Sequence, residues 1–162
     1  MTEGERLEVA ALNAFSEAYA DLYGDPICFV QRTRPPCPDF KCSIGSDPID
    51  IEIAHLYRSD VDAQRILGRD RRHPFSEHQL RQQRLIPLNT LIPMRLNCIL
   101  KQKAAKQYQS ERVWLVIRNA TRLWGKSDFE RYKDELVIPP EMPFAAIWLI
   151  CDYRGTSLLN LH

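Results

Sequence analysis

The sequence predicts one α/β domain built on a mixed β-sheet with helices packed against it. Three features support this prediction: an amphipathic helix opens the chain, three short apolar strands follow it, and each later apolar strand comes after a helical segment. A hairpin followed by helix-linked strands gives antiparallel pairing on one side of a sheet and parallel pairing on the other. A chain of 162 residues has the usual length of one domain with a substantial core.

The first elements follow from the spacing of apolar residues. Helical spacing over 5–22 predicts a helix that ends at Gly24-Asp25-Pro26, and its apolar positions are Leu12, Phe15, Tyr19 and Leu22. Residues 27–30 are typical of a short apolar strand. The second and third strands are predicted to lie on either side of a four-residue turn at 45–48, with the third strand running to about Tyr57.

The second half is predicted to begin with an irregular, arginine-rich insertion at about 58–88. Its centre, 68–74, is typical of an exposed loop, with short helices expected at 60–67 and 76–84. A helix is expected to start at Asn89 or Thr90 and to run to about Gln109. The remaining predicted elements are a buried strand at 112–118, a short helix at 127–135, a buried strand at 145–151 and an edge strand at 157–161.

The charge distribution is more informative than the net charge, which is +1 at pH 7. Residues 1–25 carry six acids against one arginine, whereas 58–84 carry seven arginines against four acids. A basic region of this kind suits a surface that contacts phosphates, and Arg69, Arg71 and Arg72 are its candidate nucleic-acid-binding residues. A solvated, arginine-rich loop explains the same residues equally well.

The sequence also indicates a cytoplasmic protein. Its start, Thr2-Glu3-Gly4-Glu5, is acidic and unlike a signal peptide, and no apolar run approaches the roughly 20 residues of a membrane span. The five cysteines are an odd number, which favours reduced thiols.

Two acids lie on the predicted hairpin, Asp39 before the second strand and Glu52 within the third. Strand side chains alternate between faces, so a four-residue turn would place Lys41 opposite Glu52 and Asp39 opposite Ala54. Asp39 and Glu52 would then be diagonal neighbours on one face, roughly 7–8 Å apart at the backbone. Carboxylates at that separation can bind one cation together.

This arrangement resembles the PD-(D/E)XK nuclease superfamily, which has the restriction-endonuclease-like fold. Pro38-Asp39 and Glu52-Ile53-Ala54, with 12 residues between the two acids, match its signature, and the order αβββαβ over about 5–118 matches its core. The resemblance implies a metal-dependent nuclease in which Asp39 and Glu52 bind Mg²⁺ (or Mn²⁺). It also implies a nucleic-acid partner, with DNA as the favoured substrate.

One departure concerns the lysine of the signature, because Ala54 stands where the family normally has lysine. In some members the lysine comes from the following helix instead. Here Lys103 and Lys106 extend an apolar helical stripe formed by Ile92, Leu96 and Ile99. Lys103 is the first candidate for the catalytic lysine, Lys106 the second and Lys41 the third.

The expected chemistry requires charge neutralisation at the phosphate and an activated water. A cation supplies both, and a nearby lysine can orient the water or stabilise the developing charge. Glu8 lies on the sheet-facing stripe of the first helix and could be an outer metal ligand. As an alternative, Glu8 is a solvated acid in the first turns of the helix, where the helix dipole favours it.

Two other functional classes remain open. Ala54 favours a catalytically inactive protein of the same fold that binds nucleic acid or acts as an interaction subunit. The acids could instead stabilise an interface in a larger assembly. A homodimer is possible in either case, because many enzymes of this shape work as dimers.

Overall fold

The structure is a computed structural model, and it describes residues 1–58 and 87–162. Those residues form a six-stranded mixed sheet and three α-helices, which confirms the predicted α/β class. The helices are α1 (Glu3–Tyr23), α2 (Leu88–Ala104) and α3 (Lys126–Tyr132), and the strands are β1 (Ile27–Arg32), β2 (Phe40–Ile44), β3 (Asp47–Leu56), β4 (Val113–Asn119), β5 (Phe144–Ile150) and β6 (Leu158–Asn160). The loop predicted at 68–74 and the helices predicted at 60–67 and 76–84 lie outside these residues.

The strands follow one another across the sheet in the order β1-β2-β3-β4-β5-β6. β1, β2 and β3 pair antiparallel, β3, β4 and β5 pair parallel, and β6 returns antiparallel to β5. The predicted mixture of hairpin and helix-linked strands is therefore correct. β3 is the strand at which antiparallel pairing changes to parallel pairing.

Two apolar cores cover the two faces of this sheet. On one face, α1 packs Phe15 against Trp114 and Trp148, with ring centroids 6.3 and 5.9 Å away. On the other face, Leu96 and Leu100 of α2 join a second core that is closed by α3. Because side chains alternate along a strand, successive residues of β3 belong to different layers.

Both ends of α1 are fixed by local signals. Thr2 Oγ1 accepts a hydrogen bond from the Glu5 amide at 3.2 Å, and Glu5 Oε2 accepts one from the Thr2 amide at 2.6 Å. This reciprocal capping box satisfies two backbone donors that the helix leaves free. Gly24 ends the helix with φ at 77°, a left-handed conformation that suits glycine.

The hairpin between β2 and β3 differs from the predicted register. Its turn contains two residues, Gly45 and Ser46, and Ile44 pairs with Asp47. Gly45 adopts φ of 60°, the positive value that such short turns need. The predicted pairing of Lys41 with Glu52 is therefore wrong by two residues, because Lys41 lies opposite Asp50. An even shift leaves every side chain on its predicted face.

The C-terminus of α2 also differs from the prediction, since the helix ends at Ala104 and not near Gln109. Residues 104–107 are good helix formers, so local propensity gave no stop signal. Tertiary contacts end the helix instead. The Tyr108 ring lies 5.6 Å from the Phe144 ring, and the Gln109 amide donates to Pro36 O at 3.1 Å. Lys106 therefore lies beyond the helix on which it was predicted.

Among the helices of the described ranges, none is long and apolar enough to cross a bilayer. All five cysteines are free thiols, and two of them, Cys42 and Cys151, are buried.

Candidate active site

Asp39 lies immediately before β2, and its side chain is fixed by the backbone of the neighbouring strand. Asp39 Oδ2 accepts a hydrogen bond from the Ile53 amide at 2.8 Å. Its main-chain oxygen accepts another from the Thr33 amide at 2.9 Å. Because Phe40 pairs with Ile51, the same register continued by one residue places Asp39 across from Glu52. The two acids therefore face each other directly across the strands, whereas the predicted register made them diagonal neighbours.

Glu52 occupies the middle of β3 and is only 4% exposed. It points to the α2 side of the sheet, where its neighbour Ala54 belongs to the second core. A carboxylate this deeply buried is tolerated when it is paired with a cation and hydrogen-bonded. Glu52 Oε1 lies 2.6 Å from Lys103 Nζ and 3.8 Å from Lys106 Nζ.

The lysines reach Glu52 from the last turn of α2 and from the segment after it. The Lys103 side chain is 20% exposed, so most of its length is covered while its ammonium contacts Glu52. The Lys106 side chain is 55% exposed and makes the longer contact. Lys41, the third candidate, is opposite Asp50 in the hairpin. The structure therefore brings the first two candidate lysines to Glu52, with Lys103 nearer than Lys106.

Burial and the neighbouring acids make Asp39 harder to deprotonate than a free aspartate. Burial, followed by the negative charge of Glu52, raises the pKa of Asp39 to about 6, and Glu8 adds to this effect. The hydrogen bond from the Ile53 amide and the charge of Lys103 oppose the rise. Two acids crowded together in a poorly solvated place create a local demand for positive charge.

Glu8, the predicted outer ligand, is engaged with a different cation. Its Oε2 is in direct contact with Arg32 Nη2, and Glu5 Oε1 lies 3.9 Å from the same guanidinium nitrogen. Glu8 is still close enough for its charge to raise the pKa of Asp39. Its role as a metal ligand stays a prediction.

Tyr108 is a site residue that was not predicted. Its hydroxyl lies beside Glu52 and donates a hydrogen bond to Lys103 O at 3.4 Å. Burial, the charge of Glu52 and hydrogen bonding to that carboxylate raise the pKa of Tyr108, which keeps the phenol protonated. The position could not be read from the sequence, because it depends on where α2 ends.

Of the four residues predicted to bind nucleic acid, only Lys106 belongs to the described part of the chain. Arg69, Arg71 and Arg72 lie outside the described residues, so their role stays a prediction. Lys106 is described, and its partly exposed ammonium lies at the edge of the Glu52 site.

The acids offer a small set of oxygen ligands for a cation. Within 1–58 and 87–162, no group of three or more His, Cys, Asp or Glu side chains is arranged to bind a metal ion. The candidate ligands are therefore the pair Asp39 and Glu52. Mg²⁺ suits such a pair because it keeps several waters and takes substrate oxygens as its other ligands. The crowding that raises the pKa of Asp39 is also what a bound cation would relieve.

No family model matches this chain, and no curated protein or solved structure matches it either. Functional inference therefore depends on the geometry of the site itself.

Proposed function

We propose that this protein is a metal-dependent nuclease with a restriction-endonuclease-like core that hydrolyses phosphodiester bonds, with DNA as its substrate. One observation carries the proposal: a buried glutamate on the central strand contacts a lysine from the following helix and lies across from an aspartate of raised pKa. Hydrophobic residues of similar volume would serve folding as well as or better than these charges. A chemical role explains why charged residues occupy the position.

The order of elements supports the same proposal. α1, an antiparallel β1-β2-β3 meander, α2 and the parallel strand β4 follow one another as αβββαβ. The acids lie at the start of the second strand and within the third, where the PD-(D/E)XK signature has its own. This similarity concerns element order and two positions, so the chemistry must be tested directly.

Asp39 and Glu52 are the residues that would hold Mg²⁺ or Mn²⁺. Such a cation supplies positive charge beside the scissile phosphate and lowers the pKa of the attacking water. Both acids must be deprotonated to bind it, which requires that Asp39 lose its proton. In the absence of a cation, that deprotonation occurs at about pH 6. The hydrogen bond from Ile53 keeps the Asp39 carboxylate oriented along β3.

Lys103 provides a fixed positive charge at the same place. Its ammonium neutralises Glu52 in the free protein. With substrate present, an ammonium at this position can orient the attacking water and stabilise the charge that develops on the phosphate. Lys106 is more exposed and is suited to contacting a flanking phosphate.

The test is a cleavage assay on DNA and RNA, single- and double-stranded, with Mg²⁺ or Mn²⁺. We expect Glu52→Gln and Asp39→Asn each to reduce kcat by about 10²-fold or more, because each removes a cation ligand. Asp47→Asn is the matched control, an exposed acid at the start of the same strand. Equal cleavage by wild type and Glu52→Gln would refute the nuclease proposal.

A non-catalytic protein of the same fold is the second candidate, and Ala54 in place of the signature lysine favours it. In that case the ion pair of Glu52 with Lys103 is structural. Calorimetric titration with Mg²⁺ distinguishes the two candidates. Absence of binding at millimolar Mg²⁺, together with nucleic-acid binding that Glu52→Gln leaves unchanged, would favour the non-catalytic candidate.

A further inference from the structure

A small cavity lies at the C-terminal ends of β3 and β4, on the face opposite Glu52. Its volume is about 50 Å³, and it is lined by Leu7, His55, Tyr57, Arg118, Ala120 and Tyr153. On a comparable measure one water needs about 10–15 Å³, so the cavity can hold a group of several atoms. In sheets with parallel strands, the carboxyl ends of the strands are a common place for ligands.

Arg118 contributes a positive charge that pairs with no acid of residues 1–58 and 87–162. It is partly buried on β4, directly beside His55 of β3 in the parallel register. Within the described ranges its guanidinium makes no hydrogen bond or ion pair. By contrast, Arg32 contacts Glu8, and Arg112 lies over the Trp114 ring. A poorly solvated cation without a partner attracts an anion.

His55 adds an unsatisfied polar atom to the same cavity. Its Nε2 is buried and has no hydrogen-bond partner among the residues that the structure describes. Burial, followed by the charge of Arg118, lowers the pKa of His55 to about 4, so the ring is neutral at physiological pH. A neutral imidazole in the appropriate tautomer presents one N–H donor at this atom. Buried polar atoms normally have a partner, and a ligand is one way to provide it.

We propose that this cavity binds a phosphate group between the Arg118 guanidinium and the Nε2–H of His55. The planar guanidinium matches the geometry of phosphate oxygens and can donate two parallel hydrogen bonds to them. The anion is either free inorganic phosphate or the terminal phosphate of an oligonucleotide. The sheet separates this cavity from Glu52, so the proposal does not depend on nuclease activity.

The test is a titration with inorganic phosphate at about pH 7, followed by NMR of the histidine ring resonances. The chain has four histidines, and His55→Gln assigns the relevant signals. We expect a saturable shift of the His55 signals in wild type, with affinity reduced about tenfold or more in Arg118→Met. Arg112→Met is the matched control and should bind like wild type. Glu52→Gln should also bind like wild type, which separates this test from the nuclease assay.

Further titrations distinguish the sources of the phosphate. A 5′-phosphorylated dinucleotide that shifts the His55 signals at lower concentration than inorganic phosphate, while its 5′-hydroxyl counterpart has no effect, would identify a nucleic-acid terminus. Stronger binding of inorganic phosphate would identify the free anion. No saturable shift in wild type at about 100 mM phosphate would overturn the proposal, as would unchanged affinity in Arg118→Met. If Arg118→Met does not fold, Arg118→Lys replaces it, because lysine keeps the charge and loses the paired donors.

Discussion

The two faces of β3 differ in the charged groups they hold and in how deeply those groups are buried: Glu52 on the α2 side is buried, whereas His55 and the neighbouring Arg118 on the α1 side are partly buried. On the α2 side, the lysines at 103 and 106 pair with Glu52, while burial and the charge of Glu52 raise the pKa of Asp39. On the α1 side, Arg118 lies beside a neutral histidine, and no acid in the described parts of the chain pairs with it. Our proposals therefore assign a cation to the first face and an anion to the second. In both proposals, the charged groups that meet on a face, more than burial itself, determine which ligand that face would bind.

Burial acts on both faces in the same physical direction, by favouring the neutral form of each group. It raises the pKa of Asp39 and lowers the pKa of His55, the first to about 6 and the second to about 4. The two shifts have opposite effects on stability as pH changes, so they provide separate probes of the two faces.

The largest expected effect is on the α2 face. Lys103→Met should reduce kcat for nucleic-acid cleavage by about 10²–10³-fold, because the proposed mechanism uses this positive charge to stabilise the reacting phosphate. Lys101→Met, two residues earlier on the same helix and exposed, is the control. Steady-state kinetics and a thermal melt on the same samples separate lost catalysis from lost folding. A folded Lys103→Met protein with wild-type kcat would show that the ion pair with Glu52 is only structural.

The second-largest expected effect concerns His55 on the α1 face and the dependence of stability on pH. The folded-state pKa of His55 is lowered from 6.5 to about 4, so its contribution to stability is present above pH 6.5 and is lost as pH falls toward 4. The free energy of unfolding of wild type should fall by about 3 kcal/mol over this pH interval, and His55→Gln should not show this fall. Urea unfolding from about pH 4 to 8 measures this slope. Identical pH profiles for variant and wild type would show that His55 is solvated in the native state.

Asp39 should produce the opposite slope. Its folded-state pKa is raised from 3.8 to about 6, so the stabilising proton is bound at low pH and stability falls by about 3 kcal/mol as pH rises through this interval. Asp39→Asn should remove that fall in the presence of a chelator. In wild type the slopes of Asp39 and His55 largely cancel between pH 4 and 6. If Asp39→Asn and wild type showed the same dependence of stability on pH, the crowding of the two acids would be contradicted.

The smallest expected effect concerns Tyr108. Tyr108→Phe removes the hydroxyl that interacts with Glu52 and Lys103 but keeps the ring that packs near Phe144. We expect kcat to fall by less than about tenfold and the free energy of unfolding to fall by about 1 kcal/mol. The cleavage assay and urea unfolding provide both values. A loss as large as that of Lys103→Met would mean that the phenol contacts the substrate.

The sequence was sufficient for the element order and for the faces of the hairpin, because both follow from periodicity. The resemblance to nucleases with a migrated lysine, together with helical spacing, also predicted that Lys103 would approach Glu52, 51 residues away along the chain. The hairpin register was missed because Gly45-Ser46-Asp47-Pro48 contains several turn formers, and only the conformation of Gly45 shows where the turn closes. Because side chains alternate between the two faces of a strand, a register error of two residues still assigns each side chain to the correct face.

The end of α2 and the cavity at Arg118 could not be predicted, since both depend on contacts between distant segments. Tyr108 reaches the site because it packs near Phe144, a residue of a strand that comes much later in the chain. Likewise, His55 and Arg118 become neighbours through the register of two parallel strands. That register is set by how α2 and the two cores pack, so it cannot be predicted from a local sequence pattern.

The alternation of β3 has a consequence for mutational scanning. Substitutions at even-numbered positions such as Glu52 and Ala54 alter the layer under α2, whereas those at odd-numbered positions such as Ile53 and His55 alter the layer under α1. A saturation library scored separately for strand scission and for phosphate affinity should therefore show two interleaved profiles, each with a period of two residues. Adjacent codons would then be free to diversify under independent selection.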